Sequence, residues 1–159
     1  METETIKLYT LAEAQTHFAV AYNQQAWALL ALPERTAEES QTLIDAAHAS
    51  ALHWAQSPNF LPKNKARALF LLATVYTAER YVEQAHRYAE SCLKYSESIA
   101  AQLDDFDLPY AYLAAARAYA IADKRAESMQ FFTMARQAGA AIANEEDKKL
   151  FLNDFRTKI

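Results

Sequence analysis

The side chains able to do chemistry in this 159-residue chain are few, and they fall at helical spacings. His48 and His53 flank Ser50, and His86 follows Ala85 as His48 follows Ala47. Two histidines on one helix hold a metal best when four residues apart, because that spacing stacks both rings on one face. His48 and His53 are five apart, which at 3.6 residues per turn sets them about 140° around the axis from each other. Asp45, one turn before His48, has the spacing to orient its imidazole from behind. No His-Glu-x-x-His pattern and no cysteine pair completes a metal set. Ser50 and Cys92 stand on helical stripes, with no glycine-rich loop or strained elbow to form an oxyanion site beside them. The residues therefore predict no metal, no cofactor and no catalytic group, and histidines satisfied by hydrogen bonds between packed helices.

Arginines are better placed. Arg67, Phe70, Thr74 and Thr77 share one helical face, and Tyr110, Leu113, Arg117 and Ile121 share another. Guanidinium groups bind planar anions bidentately and stack on rings, so this mixture would clamp a carboxylate or phosphate. The competing reading pairs Arg67 and Arg117 with Asp45, Glu79, Asp105 or Asp107, pinning neighbouring helices together. Tyr81, Tyr88 and Tyr95 recur every seven residues and either pack between helices or leave their hydroxyls at the rim of a peptide groove.

The elements that must position these groups are helices. Hydrophobic residues make up 52% of the chain, Gly139 is its single glycine, and turn chemistry for hairpin strands is nearly absent. A first helix is predicted from about Leu8 to Ala31, ended by Pro33, after a frayed, disordered segment 1–6. Thr36 with Glu39 three positions on is a capping box for a second helix, Ala37 to Gln56, with Leu43, Ala47, Ser50, Ala51 and Trp54 inward. Pro58 and Pro62 mark a turn whose Phe60 and Leu61 are expected to fold under the hairpin end. A third helix carries Leu69, Leu72, Ala73 and Tyr76, and a fourth runs from Arg80 to Leu103 with Ala85, Ala89 and Cys92 on one face. Asp107 is expected to cap a fifth helix ending at 122, with Pro109 in its first turn, and residues 124–142 form a sixth. Asn144 caps a short last helix presenting Leu150, Phe151 and Phe155 as a cover for the final hairpin.

Leu69, Leu72, Ala73 and Tyr76 followed by Ala85, Ala89 and Cys92 resemble the tetratricopeptide repeat, whose small positions let two helices approach closely. Phe18-Ala19-x-x-Tyr22, Leu72-Ala73-x-x-Tyr76 and Ala115-Ala116-x-x-Tyr119 repeat that signature, at intervals of 54 and 43 residues where the standard repeat has about 34. The stretches Asp45–Trp54, Lys65–Tyr76, Asp105–Tyr112 and Ala143–Phe151 are similar to a family of uncharacterised bacterial tetratricopeptide-like proteins. The resemblance implies an all-α superhelix of about three hairpins with a C-terminal capping helix, and it carries over no catalytic residue. A generic helical bundle is the alternative.

Composition narrows the partners. A net charge of −4 argues against a nucleic-acid surface. No apolar run approaches the ~18 residues of a membrane span. With one cysteine, no disulfide forms within the chain, and a cytoplasmic location is expected. One domain over 1–159 is expected. Two functions remain: a helical-repeat module without catalytic activity that binds a peptide, a partner helix or its own copy as a homodimer, or a protein binding a small anionic ligand. The candidate residues are Arg67, Phe70, Thr74, Thr77, Tyr110, Arg117, His48 and His86, the second function drawing them around a pocket between repeats.

Overall fold

The computed structural model describes residues 7–157. The segment 1–6, expected to be frayed, lies outside them. The described residues form seven α-helices and one 3-10 turn, with no strand among them: α1 Leu11–Leu30, α2 Ala37–Gln56, α3 Pro62–Ala78, α4 Val82–Ser98, α5 Asp107–Ile121, α6 Arg125–Ala140 and α7 Glu145–Arg156. Helices pack mainly on their neighbours in sequence, as hairpins α1/α2, α3/α4 and α5/α6, while α3 also meets α5.

Local chemistry sets most boundaries. Thr36 accepts from the Glu39 N–H at 3.2 Å while the Glu39 carboxylate accepts from the Thr36 N–H at 2.8 Å, so α2 begins at Ala37 as the capping box requires. Thr10 and Glu13 make the same box, which starts α1 at Leu11 and not at Leu8. Asn144 accepts from the N–H groups of Glu146 and Asp147 and opens α7. Pro62 takes the first position of α3, where a missing N–H costs nothing.

Other expectations fail. Phe60 and Leu61 stay 38% and 51% exposed. The hairpin end is closed instead by buried Ser57, whose hydroxyl meets that of Thr16 at 2.6 Å. Arg80 cannot open α4, because its φ of 59° is left-handed. Asp107 is not a cap: Phe106 holds that position, and the Asp107 carboxylate turns inward to accept from the Asp104 N–H at 3.0 Å. Helix α4 also ends early, at Ser98, before the 3-10 turn Ala100–Gln102.

Two hairpins share one turn. Arg80 and Asp123 are the only described non-glycine residues at positive φ, and they lie 43 positions apart. At each, a 6→1 bond (Tyr81 N–H to Tyr76 C=O, 2.9 Å; Lys124 N–H to Tyr119 C=O, 3.0 Å) and a 5→2 bond (Arg80 to Thr77; Asp123 to Ala120) end the preceding helix. Ala19, Ala73 and Ala116, one per hairpin, are fully buried where paired helices approach. Across the first and third approaches the second helix donates a hydroxyl to the first, Ser50 to the Ala19 carbonyl at 2.8 Å and Ser128 to the Ala116 carbonyl at 2.9 Å. The longer first interval follows from helix length, since α1 and α2 have 20 residues each and α3 and α4 have 17.

Helix α7 folds onto the last hairpin. A Cβ on Gly139 would sit 2.1 Å from Phe151 Cε1, so only glycine lets that fully buried ring lie flat on α6. Phe155 meets Phe132 edge-on at 5.7 Å. Leu150, expected to point inward with them, is 57% exposed and stands over a groove.

Candidate functional site

The groove runs between α1, α3, α5 and α7. Asn23 and Trp27 come from α1, Phe70 from α3, Tyr110 from α5, and Leu150 and Asp154 from α7. It comprises two cavities of about 350 and 660 Å³ that share Trp27, Phe70, Tyr110 and Asp154. Both lie in the size range of ligand pockets, about 300 to 1,000 Å³. Trp27 and Phe70 are stacked with centroids 6.1 Å apart, and Phe70 meets Tyr110 edge-on at 5.2 Å, so one aromatic ladder spans three helices. Trp27 is 41% exposed.

Around the smaller cavity, Arg67 is already engaged. Its Nε and Nη2 donate to the two oxygens of Asp107 at 2.7 and 3.0 Å, and Nη2 also donates to Asp104 at 2.5 Å. The guanidinium lies 5.0 Å from the Phe106 centroid. Hydrogen bonds and charge from Asp107 raise the Arg67 pKa further and hold it cationic. This fork bridges α3 to the start of α5, one of the acid pairings foreseen from sequence. Cys92 and Ser96 are buried at the floor; the thiol donates to the Ala66 carbonyl at 3.5 Å, and burial pushes its pKa up to about 12. Such a thiol is a packed group and a poor nucleophile at neutral pH.

Arg117 is engaged differently. Its Nη2 donates to the backbone carbonyls of Asp154 and Thr157 at 2.5 and 2.9 Å, so it caps the C-terminal end of α7. Burial lowers its pKa from the usual value, with the Asp154 charge opposing. Tyr110 donates to Asp154 Oδ2 at 2.6 Å, and its own pKa is raised by burial and by that bond. Tyr110 and Arg117 of the third hairpin are thus both held by the chain's own last helix.

The eight candidates do not converge. Arg67, Phe70, Thr74, Tyr110 and Arg117 reach the groove, Thr74 with its hydroxyl bonded back to the Phe70 carbonyl at 2.9 Å. Thr77 is buried outside both cavities, and its hydroxyl is the one buried side-chain N or O atom without a partner among the described residues. His48 lies elsewhere, with Nε2 2.8 Å from the Tyr76 hydroxyl and its ring edge-on to Tyr88. His86 packs edge-on against Tyr119 at 4.9 Å, with Glu90 3.4 Å from Nε2. A pocket uniting both histidines with both arginines is therefore not formed. Spacing could not foresee this, because it reports which face of a helix a residue occupies and not which neighbour that face meets.

Sequence reading missed Asn23, Trp27 and Asp154 as groove residues. Asn23 and Trp27 belong to no motif that sets them apart within α1, and Asp154 joins the site only because α7 folds back. Among the described residues no group of three or more His, Cys, Asp or Glu side chains is arranged to hold a metal ion, and no helix is long and apolar enough to cross a membrane. Set against protein families, curated proteins and solved structures, the chain finds no match.

Proposed function

We propose that this chain is a tetratricopeptide-like helical-repeat module, without catalytic activity, that binds a short segment of a partner protein in the groove between α1, α3, α5 and α7. The observation that carries the reading is the ladder Trp27–Phe70–Tyr110, a half-open aromatic wall continuous across three helices. Aromatic side chains that leave apolar faces to solvent in a preformed groove are the anchors of peptide recognition. The related turns at Arg80 and Asp123 and the buried Ala19, Ala73 and Ala116 support the repeat assignment. The anionic-ligand alternative is disfavoured because the Arg67 charge is met by two carboxylates and the Arg117 guanidinium donates to α7 carbonyls.

The test is selection of random twelve-residue peptides on the intact protein, followed by titration against Phe70→Ala and, as a remote control, Tyr81→Ala. Enriched peptides should lose at least tenfold in affinity with Phe70→Ala and none with Tyr81→Ala. Peptides indifferent to Phe70, or a selection that enriches nothing, would remove the reading.

A further inference from the structure

The smaller cavity carries a chemical bias that the ladder alone does not. Its lining carries two carboxylates against one guanidinium: Arg67 is spent on Asp107 and Asp104, while the Asp154 carboxylate accepts a single hydrogen bond, from Tyr110, and meets no basic side chain within ion-pair distance among the described residues. Arg117 lies near that carboxylate, but its hydrogen bonds go to the carbonyl end of α7, whose partial negative charge it offsets. Asp154, whose Oδ1 accepts no hydrogen bond among the described residues, and Asn23, whose carboxamide makes none there, line this space together with Trp27, Phe70 and Tyr110. Ring faces are the negative pole of the aromatic quadrupole. Aromatic faces beside a carboxylate under-supplied with donors complement an organic cation, apolar in its body and positive at its head.

We propose that the smaller cavity is a cation site, taking the ammonium or guanidinium of a lysine or arginine side chain presented by the bound segment. The head group would lie against Asp154 Oδ1 and the Asn23 amide oxygen, with its methylenes along Trp27, Phe70 and the exposed edge of Leu150. The source of the cation rests on the peptide reading above; the chemistry of the cavity does not.

Choline and its uncharged isostere 3,3-dimethylbutan-1-ol separate charge from shape, and Trp27 reports on both once Trp54→Phe removes the other indole. Choline should change Trp27 fluorescence saturably, and the neutral isostere should bind at least tenfold more weakly. Asp154→Asn keeps an acceptor for Tyr110 and should weaken choline about fivefold, whereas Phe70→Ala should abolish its binding. Equal binding of the two isosteres, an unchanged affinity with Asp154→Asn, or no binding of choline would overturn the cation site. The peptide arm is independent. Selected peptides that depend on Phe70 yet carry no shared lysine or arginine would leave the peptide reading standing and overturn the basic-side-chain assignment. Choline binding without any enriched peptide would keep the cation site and assign its ligand to small molecules.

Discussion

Removing the Arg67 guanidinium would leave Asp107, whose side chain is 5% exposed, with only the Asp104 N–H as donor. A nearly buried carboxylate stripped of its counter-charge is destabilising, here moderated because Arg67 is itself 38% exposed. Arg67→Ala is expected to cost about 1 to 3 kcal/mol in urea unfolding, and Arg67→Lys to recover only part, since an ammonium cannot span both oxygens. His48 gives a pH signature. Its pKa is lowered, chiefly by burial and also by Arg87, with Asp45 opposing, so the folded state prefers the neutral ring beside Tyr76 and Tyr88. Its contribution to stability is full above the unfolded histidine pKa of about 6.5 and is lost as pH falls below that value through the folded pKa. Thermal unfolding between pH 5 and 7.5 should show a shallower acid loss in His48→Gln than in the parent. The residue types at both places were legible in the sequence. Their partners were legible only in part: Asp107, 40 positions from Arg67, stood among four acids between which the sequence does not choose, and nothing in it points from His48 to Tyr76 across 28 positions, since no periodicity encodes such separations.

Among the elements, α2 starts where a capping box held within four residues predicts, while α4 stops at Ser98, short of the expected Leu103. No glycine or proline marks the stop at Ser98, whose hydroxyl donates to the Tyr95 carbonyl at 2.7 Å, and beyond it the chain turns to bring Asp107 to Arg67 of α3. Helix α7 was recognised as a cover but not as a wall, since Asp154 becomes part of the groove only through tertiary packing on Tyr110. The glycine beneath it gives the sharpest test. Gly139→Ala drives a methyl group into the Phe151 ring, which is fully buried and has no open side to move into. The expected cost is about 1 to 3 kcal/mol, with faster amide exchange confined to α7, and Phe151→Leu in the same chain should return part of it. Exchange that rises evenly over all helices would mean that α7 does not open as a separate unit.

For the whole molecule, the all-helical class followed from composition, yet the placement of apolar surface did not. Ten of the fourteen large hydrophobics exposed among the described residues lie between Leu8 and Leu61, in or beside the first hairpin. Helix α1 carries one acidic residue, Glu13, and no lysine or arginine. The last hairpin is covered by α7, while the first has no such cover among the described residues. A face whose only carboxylate is Glu13 gives a charged partner little to recognise, but two copies meeting antiparallel along α1 would keep their Glu13 residues apart and oppose no like charges. Sedimentation at rising concentration should therefore show a dimer that Leu11→Glu and Val20→Glu dissociate while Leu150→Glu does not. An unchanged monomer mass up to about 100 μM would place any dimer outside the range of a specific interface.

The double duty of α7 reaches into the thermodynamics of binding. One short helix seats Phe151 on the last hairpin and supplies Asp154 to the groove, so the fraction of molecules with α7 detached is also the fraction lacking a groove wall. Any ligand that touches this wall must recruit the docked form, and on warming it also supplies the enthalpy of docking that helix. Binding should then show a heat-capacity change more negative than the ligand's own buried surface accounts for. The excess should grow in Gly139→Ala, where more of the protein starts with α7 undocked.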